Sequence, residues 1–289
     1  MKKMKKYIKL MRIHHYIKNF LILVPLICSG QILDWEKLSK GTIAFISFCA
    51  CSSIIYIIND IQDVEKDRKH PVKKNRPIAS GKVKISQAYA LIGVLIIVML
   101  IFNALVFRVN SSLFLIVYVI LNLGYSKGWK NIPLLDICIL VSGFVIRILY
   151  GGIVTDIQIS NWLYLTVFSI SFYFALGKRR NELKQNKGAE TRTVLKYYSE
   201  AFLDKNMYMF LCLANVFYSL WSMDEKIVDS HGGKDLIFTV PIVLVITMKY
   251  SLNIEGDSDG DPVEVLLHDK ALILLCFVYT VVMLVILYC

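Results

Sequence analysis

The sequence predicts an all-α polytopic membrane protein, a bundle of about nine transmembrane helices with its N-terminus in the cytoplasm. Three observations carry this. Of the 289 residues, 56% are hydrophobic and 19% charged, against about 25% charged in a soluble domain. The apolar residues fall in runs long enough for crossings of about 20 residues. Lysine and arginine crowd onto alternate connections, as they do in cytoplasmic loops. This composition excludes a disordered chain, a coiled coil and a water-soluble globule. The partner it implies is a lipid bilayer, and nothing in it points to nucleic acid.

The apolar segments run roughly over 16–33, 41–58, 86–107, 111–125, 132–153, 161–177, 207–222, 236–250 and 271–288. The first follows the basic start Met1-Lys2-Lys3-Met4-Lys5-Lys6 and ends at Leu26-Ile27-Cys28. It has no small-x-small cleavage site, so it reads as a retained span and not a signal peptide. With the N-terminus inside, 27 of the 33 Lys and Arg residues fall on cytoplasmic segments. Lys37, Lys40, Arg108, Lys226 and Lys234 lie outside, and Arg147 lies within a span. The long polar stretches 59–84, 178–206 and 251–270 therefore share the cytoplasmic side. None is long enough for a separate soluble domain, so residues 1–289 are expected to form a single transmembrane domain. The cysteines are scattered through apolar segments without a CxxC pair and read as small hydrophobes.

The second span ends in Asn59-Asp60-Ile61-Gln62-Asp63-Val64-Glu65-Lys66-Asp67. At about 100° per residue, Asn59, Asp60, Asp63 and Asp67 share one helical face. Clustered carboxylates at a membrane boundary are costly unless something positive neutralises them. Open carboxylate oxygens suit Mg²⁺, which also takes phosphate oxygens as ligands. The chemical reading is a Mg²⁺–diphosphate site. The plainer alternative is a solvated helix end paired with Lys66, Arg68 and Lys69. The next residues, His70 to Gly81, place Lys73 and Arg76 in a loop beside the acidic face, where they suit phosphate oxygens.

The run NDxxDxxxD…HPxKxxRPIASG after a second span is similar to the signature of the UbiA-type membrane transferase superfamily, and the resemblance extends over nearly the whole chain. Most of that superfamily moves a prenyl group from a prenyl diphosphate to an acceptor. Its members typically carry a second Asp-rich motif after the sixth span and a Tyr-x-x-x-Lys element after the fourth. This chain departs from both. After the sixth span it reads Gly177-Lys178-Arg179-Arg180-Asn181-Glu182, a cationic run that either anchors the inner face or attracts a polyanionic substrate. After the fourth come Tyr125, Lys127 and, one place later than in the common element, Lys130. In the next span Asp136, Gly143, Arg147 and Tyr150 fall on one stripe. Arg147 there pairs with Asp136 or another carboxylate, or else binds phosphate.

Three further elements resemble the decaprenyl-phosphate phosphoribosyltransferase branch: Arg12-x5-Lys18-Asn19, YSxxxKxxPxLD leading to SGFxxR, and GDPVEVLLxD over residues 260–269. The resemblance implies two substrates, cytosolic 5-phosphoribosyl 1-diphosphate and a polyprenyl phosphate from the bilayer. It also implies a bacterial cell-membrane enzyme of cell wall biosynthesis, multi-pass, with its active site facing the cytoplasm. On this reading Asp60, Asp63 and Asp67, with Asn59, hold Mg²⁺. Lys18 and Asn19 meet the lipid phosphate, although Lys18 also suits simple snorkelling. Lys73, Arg76, Tyr125, Lys127, Lys130, Arg147, Lys178 and Arg179 complete the substrate-binding set. An ionised lipid phosphate is already a nucleophile, so none of the five histidines is needed for chemistry. Asp257, Asp259 and Asp261 are spaced like a calcium loop, but Pro262 stands where that pattern needs glycine. The alternatives are a prenyltransferase acting on an aromatic or other acceptor and a non-catalytic lipid-phosphate carrier, which the one-sided charge disfavours. A homo-oligomer is compatible with the sequence.

Overall fold

The computed structural model describes residues 2–70, 73–185, 192–225, 227, 236–256, 258 and 260–288, and every regular element among them is helical. The chain opens with α1 (Lys2–Met11). The first apolar segment, expected as one span, is not a continuous α-helix. The chain breaks ahead of it at Arg12, whose backbone is left-handed with φ 53°. It then runs as a 3-10 helix over Ile13–Ile22 and closes as α2 (Val24–Cys28), with Pro25 in its first turn. Runs of that kind rarely exceed about four residues, and packing sustains this one. A Cβ on Gly151 would collide with the Ile22 carbonyl oxygen, so glycine alone lets this backbone lie directly on the fifth-span helix.

The remaining helices are α3 (Trp35–Gln62), α4 (Val64–Lys69), α5 (Ile85–Leu105), α6 (Val109–Lys127), α7 (Leu135–Thr155), α8 (Asn161–Gln185), α9 (Glu200–Ser222), α10 (Val240–Glu255), α11 (Pro262–His268) and α12 (Lys270–Tyr288). Six segments are long and apolar enough to cross a membrane: α3, α5, α6, α7, α12 and Leu236–Glu255, which contains α10. The expected sixth and seventh spans are helices too, but too polar to meet that criterion. α8, for instance, buries Ser169, Ser171, Arg179 and Asn181.

Lipid tails are as apolar as side chains, so close packing holds such helices together more than escape from water does. The centre of α3 accordingly buries small residues, among them Ala44, Ser47, Ala50 and Ser53. α7 is shared by three cores, the third reached by Ile148, which packs with Leu163, Tyr218 and Trp221. Ile137 and Val141 join residues of α8, α9, α10 and α12, whereas Ile146, Tyr150 and Val154 join α3 and α6. The polar connections meet at one end. Ser126 donates to Asn59 at 2.5 Å, Thr193 to Asn131 at 2.9 Å, and Asn181 to Ser258 at 2.9 Å.

Candidate active site

The acidic face forms where α3 stops. Asp63 stands between the two helices, as the C-cap residue of α3 and the N-cap residue of α4. The i→i−4 bonds Asp63 N–H to Asn59 and Asp67 N–H to Asp63, at 2.9 and 2.8 Å, carry the helical phase across the junction. Asp60 and Asp67 therefore stay on one side, 3% and 4% exposed at the side chain. A single atom, Arg76 Nη1, lies 3.2 Å from Asp60 Oδ1 and 2.7 Å from Asp67 Oδ2. Arg12 Nη2 reaches the same Asp60 oxygen at 2.6 Å, and its guanidinium lies 4.9 Å from the centre of the Tyr56 ring. The alternative partners Lys66, Arg68 and Lys69 do not neutralise these carboxylates; Arg68 pairs with Glu65 at 2.7 Å. Asn59 Oδ1 accepts from Ser126. Asp63 is half-buried and caps nothing with its side chain. Among the described residues, no three His, Cys, Asp or Glu side chains converge as for a metal ion. The structure thus joins Asp60 and Asp67 but not Asp63.

The basic residues divide into rim and interior. Lys73 and Lys127 are exposed, Lys130 is half-buried, and none makes an ion pair among the described residues. The His70 ring accepts the Lys73 backbone N–H at 3.2 Å; Pro71, Val72, Asp257, Asp259 and His231 fall outside the described residues. Arg179, expected to meet substrate, is instead sealed at 0% side-chain exposure. Its Nε meets Asp136 at 2.5 Å, its Nη1 meets Glu182 at 2.8 Å, and its Nη2 donates to the Tyr125 hydroxyl at 2.8 Å. Arg192 donates to the same hydroxyl at 2.7 Å, and Tyr198 donates to Asp136 at 2.6 Å. A guanidinium removed from water needs carboxylates around it, and three partners match its fixed fork of donors. Arg180, beside it, pairs with Asp204.

Arg147 pairs with neither Asp136 nor any other carboxylate among the described residues. It is 5% exposed. It donates to Asn19 Oδ1 at 2.7 Å, to the Gly143 carbonyl at 2.5 Å and to the Tyr118 hydroxyl at 3.3 Å. Its charge also lies over the Phe48 ring, 4.8 Å from the centre, a cation–π contact that partly replaces hydration. Asn19, 1% exposed, passes the order on by donating to Cys49 Sγ at 3.1 Å and Ser52 at 3.4 Å. The first segment is thereby fixed next to Lys18.

Lys18 and Lys178 both end on Asp261 Oδ2, at 2.9 and 3.0 Å. Burial alone would raise the Asp261 carboxyl, but Lys178 and Lys18 overrule it and hold it well below the usual carboxylate range. Behind Lys18 opens a cavity of about 350 Å³. Its walls are mainly apolar, with Leu21, Phe144, Phe174, Val243 and Leu266 beside a few polar side chains such as Asn215, and Lys18 is the charged residue in its lining. The His15 ring lies 5.5 Å from that of Tyr56, the ring that also carries the Arg12 guanidinium.

Asp261, Glu182 and Tyr198 hold positions that the sequence did not disclose. Lys18 and Asp261 are 243 residues apart, and no periodicity or spacing signal pairs residues across such a distance. For Arg12, positioned by an unusual backbone, the one signal was its place in the first-span pattern.

The sequence profile of the UbiA prenyltransferase family matches residues 20–224. Among curated proteins, the chain is 34% identical over 277 residues to the decaprenyl-phosphate phosphoribosyltransferase of Mycolicibacterium smegmatis, covering 92% of this chain and 87% of that one. It is 34% identical over 287 residues to the same-named protein of Corynebacterium glutamicum, covering 96% and 85%. Among solved structures, a UbiA homologue from Archaeoglobus fulgidus bound to GPP and Mg²⁺ superposes with a TM-score of 0.67 at 15% identity, covering 98% of this chain and 99% of that one.

Proposed function

Since the chain belongs to the UbiA prenyltransferase family of membrane transferases, we propose that it transfers 5-phosphoribose from 5-phosphoribosyl 1-diphosphate to a polyprenyl phosphate and releases diphosphate. The whole chain acts as one transferase unit. The observation that carries this reading is the apolar cavity with Lys18 at its polar mouth, close to a second, separate cluster of aspartates and arginines. A lipid phosphate needs the first, and a diphosphate donor needs the second. The similarity to decaprenyl-phosphate phosphoribosyltransferases supports the same pair of substrates.

The donor set fits Mg²⁺. Arg76 Nη1 touches a carboxylate oxygen of Asp60 and one of Asp67, so those two side chains already bracket one cationic position with hard oxygen ligands. Asp60, Asp63 and Asp67 would hold the ion, with Asn59 beside them. When bound, Mg²⁺ supplies Lewis-acid stabilisation of the departing diphosphate.

The protein's own groups do the rest. Arg12 and Arg76 turn from the aspartates to the diphosphate oxygens, for which planar forks are suited. Lys73, Lys127 and Lys130 add positive charge at the rim. Arg179 holds Tyr125 in place from behind. Lys18 takes the acceptor phosphate while the cavity houses the isoprenoid chain. Arg147 orients Asn19 and adds positive potential below Lys18. The acceptor's phosphate oxygen then bonds to C1 of the ribose as the bond from C1 to the diphosphate breaks. No general base is required, since the nucleophile is already ionised.

Purified protein supplied with Mg²⁺ and each donor in turn tests the assignment. Diphosphate should appear with 5-phosphoribosyl 1-diphosphate plus polyprenyl phosphate, and should cease with a chelator. Release from a prenyl diphosphate plus an aromatic acceptor, and not from the ribosyl donor, would reassign the protein to prenyl transfer.

A further inference from the structure

Lys18 comes from the first segment and Lys178 from α8, yet both ammonium groups converge on the same oxygen, Oδ2 of Asp261, at 2.9 and 3.0 Å. Two cations on one oxygen is how a protein holds an oxyanion, and here the chain supplies the anion itself. The other oxygen accepts the Val263 N–H at 3.1 Å and so starts α11. That helix places Pro262, Val263 and Leu266 in the wall of the apolar cavity that Lys18 also lines. One carboxylate therefore fastens a wall of the cavity to the lysines at its mouth.

The chain is pinned immediately before this point. Asn181 Nδ2 donates to the Ser258 carbonyl at 3.1 Å. Gly260, at φ +74°, lies so close to α8 that an added Cβ would stand 2.8 Å from Lys178 Cα. At its other end α11 runs into Asp269, which pairs with Lys249 at 2.8 Å, so a displacement of the helix pivots on that end and hinges between Gly260 and Val263.

We propose that Asp261 is an internal surrogate for a phosphate monoester: it occupies the Lys18–Lys178 anion site until the acceptor's phosphate displaces it, and its release frees α11 to shift and admit the polyprenyl chain. This rests on the assignment of Lys18 to the acceptor phosphate and adds what that phosphate must displace. A monoester carries about −1.5 to −2 against the carboxylate's single charge, and it offers three oxygens where Asp261 gives both lysines one. Charge is worth more in these surroundings than in water, so the exchange favours the phosphate. The sugar donor also carries a phosphate monoester. The lipid is the better counterpart because Lys18 opens onto the apolar cavity.

Hydrogen exchange of the α11 amides, followed in the full-length protein in nanodiscs, tests this with polyprenyl phosphate, the matching polyprenol and ribose 5-phosphate as separate additions. Polyprenyl phosphate should speed exchange about tenfold, and the other two should leave it unchanged. Asp261→Asn should show the fast exchange with nothing added and bind polyprenyl phosphate about fivefold more tightly, because the competing state is gone. Unchanged α11 protection in wild type with polyprenyl phosphate bound would overturn the surrogate, even if the variant does not fold. So would weaker binding by Asp261→Asn, or release of α11 by ribose 5-phosphate. Lys18→Ala separates the two layers. If it binds polyprenyl phosphate as wild type does, the underlying assignment of Lys18 fails; if it binds poorly while α11 stays protected in wild type, only the surrogate fails.

Discussion

Asp60 and Asp63 are three residues apart and meet opposite electrostatic settings. Asp60 is buried under two guanidinium groups, whereas Asp63 is half-buried and its side chain caps neither adjoining helix. Removing a buried charge from its partners costs about 3–5 kcal/mol, and the partial exposure of Arg12 and Arg76 lowers that toward about 1–3 kcal/mol. Asp60→Asn should therefore reduce both thermal stability and turnover. Asp63→Asn should leave stability within about 0.5 kcal/mol of wild type and yet cut Mg²⁺-dependent diphosphate release at least about 100-fold. Thermal unfolding and a diphosphate assay on the two variants check the contrast; full turnover in Asp63→Asn would remove that residue from the site. The sequence disclosed which residue types matter here, because helical spacing alone puts Asp60 and Asp67 on one face. It did not disclose their partners. Arg179 was legible as a cation but not as a buried one, since its neutralisers Asp136 and Glu182 are separated from each other by nearly the full length of α7 and α8 and the loop between them. The Asp261 carboxyl is held low, so it stays ionised throughout the physiological range and its contribution is lost only as pH falls below about 4.

Among the elements, the first segment differs most from its expected form. Hydropathy registers an apolar run and is blind to whether that run coils as an α-helix or a 3-10 helix, so the break at Arg12 and Leu23 was not readable. Helices α5, α6, α7 and α12 lie within about three residues of their apolar runs, α6 being stopped by Gly128, whereas α3, α8 and α9 continue six to eight residues into polar sequence, which hydropathy does not register as helix. The contact between Gly151 and Ile22 holds the first segment against α7, and Lys18 and Asn19 depend on it. Gly151→Val should cost about 1–3 kcal/mol by overpacking and raise KM for the polyprenyl phosphate more than for the ribosyl donor. Parallel KM measurements decide it. An equal rise in both would mean that the first segment serves the bundle as a whole and not the acceptor.

For the molecule as a whole, the asymmetry of charge was the most legible property, and the contacts among the polar connections agree with their sharing one end. The distribution of lysine and arginine supports the proposal that this end faces the cytoplasm. Lys74→Cys should accordingly resist a membrane-impermeant maleimide in intact cells and react after permeabilisation, while Ser39→Cys should react in both. Labelling of Lys74→Cys in intact cells would reverse the orientation. The lining of the cavity, with Lys18 as its charged member, has a bearing on the energetics of the host membrane. A hollow inside a membrane bundle offers a small cation few groups to replace its hydration shell. A fixed ammonium in its lining repels protons, sodium and potassium and favours anions, so charge selectivity is built into the wall of the hollow.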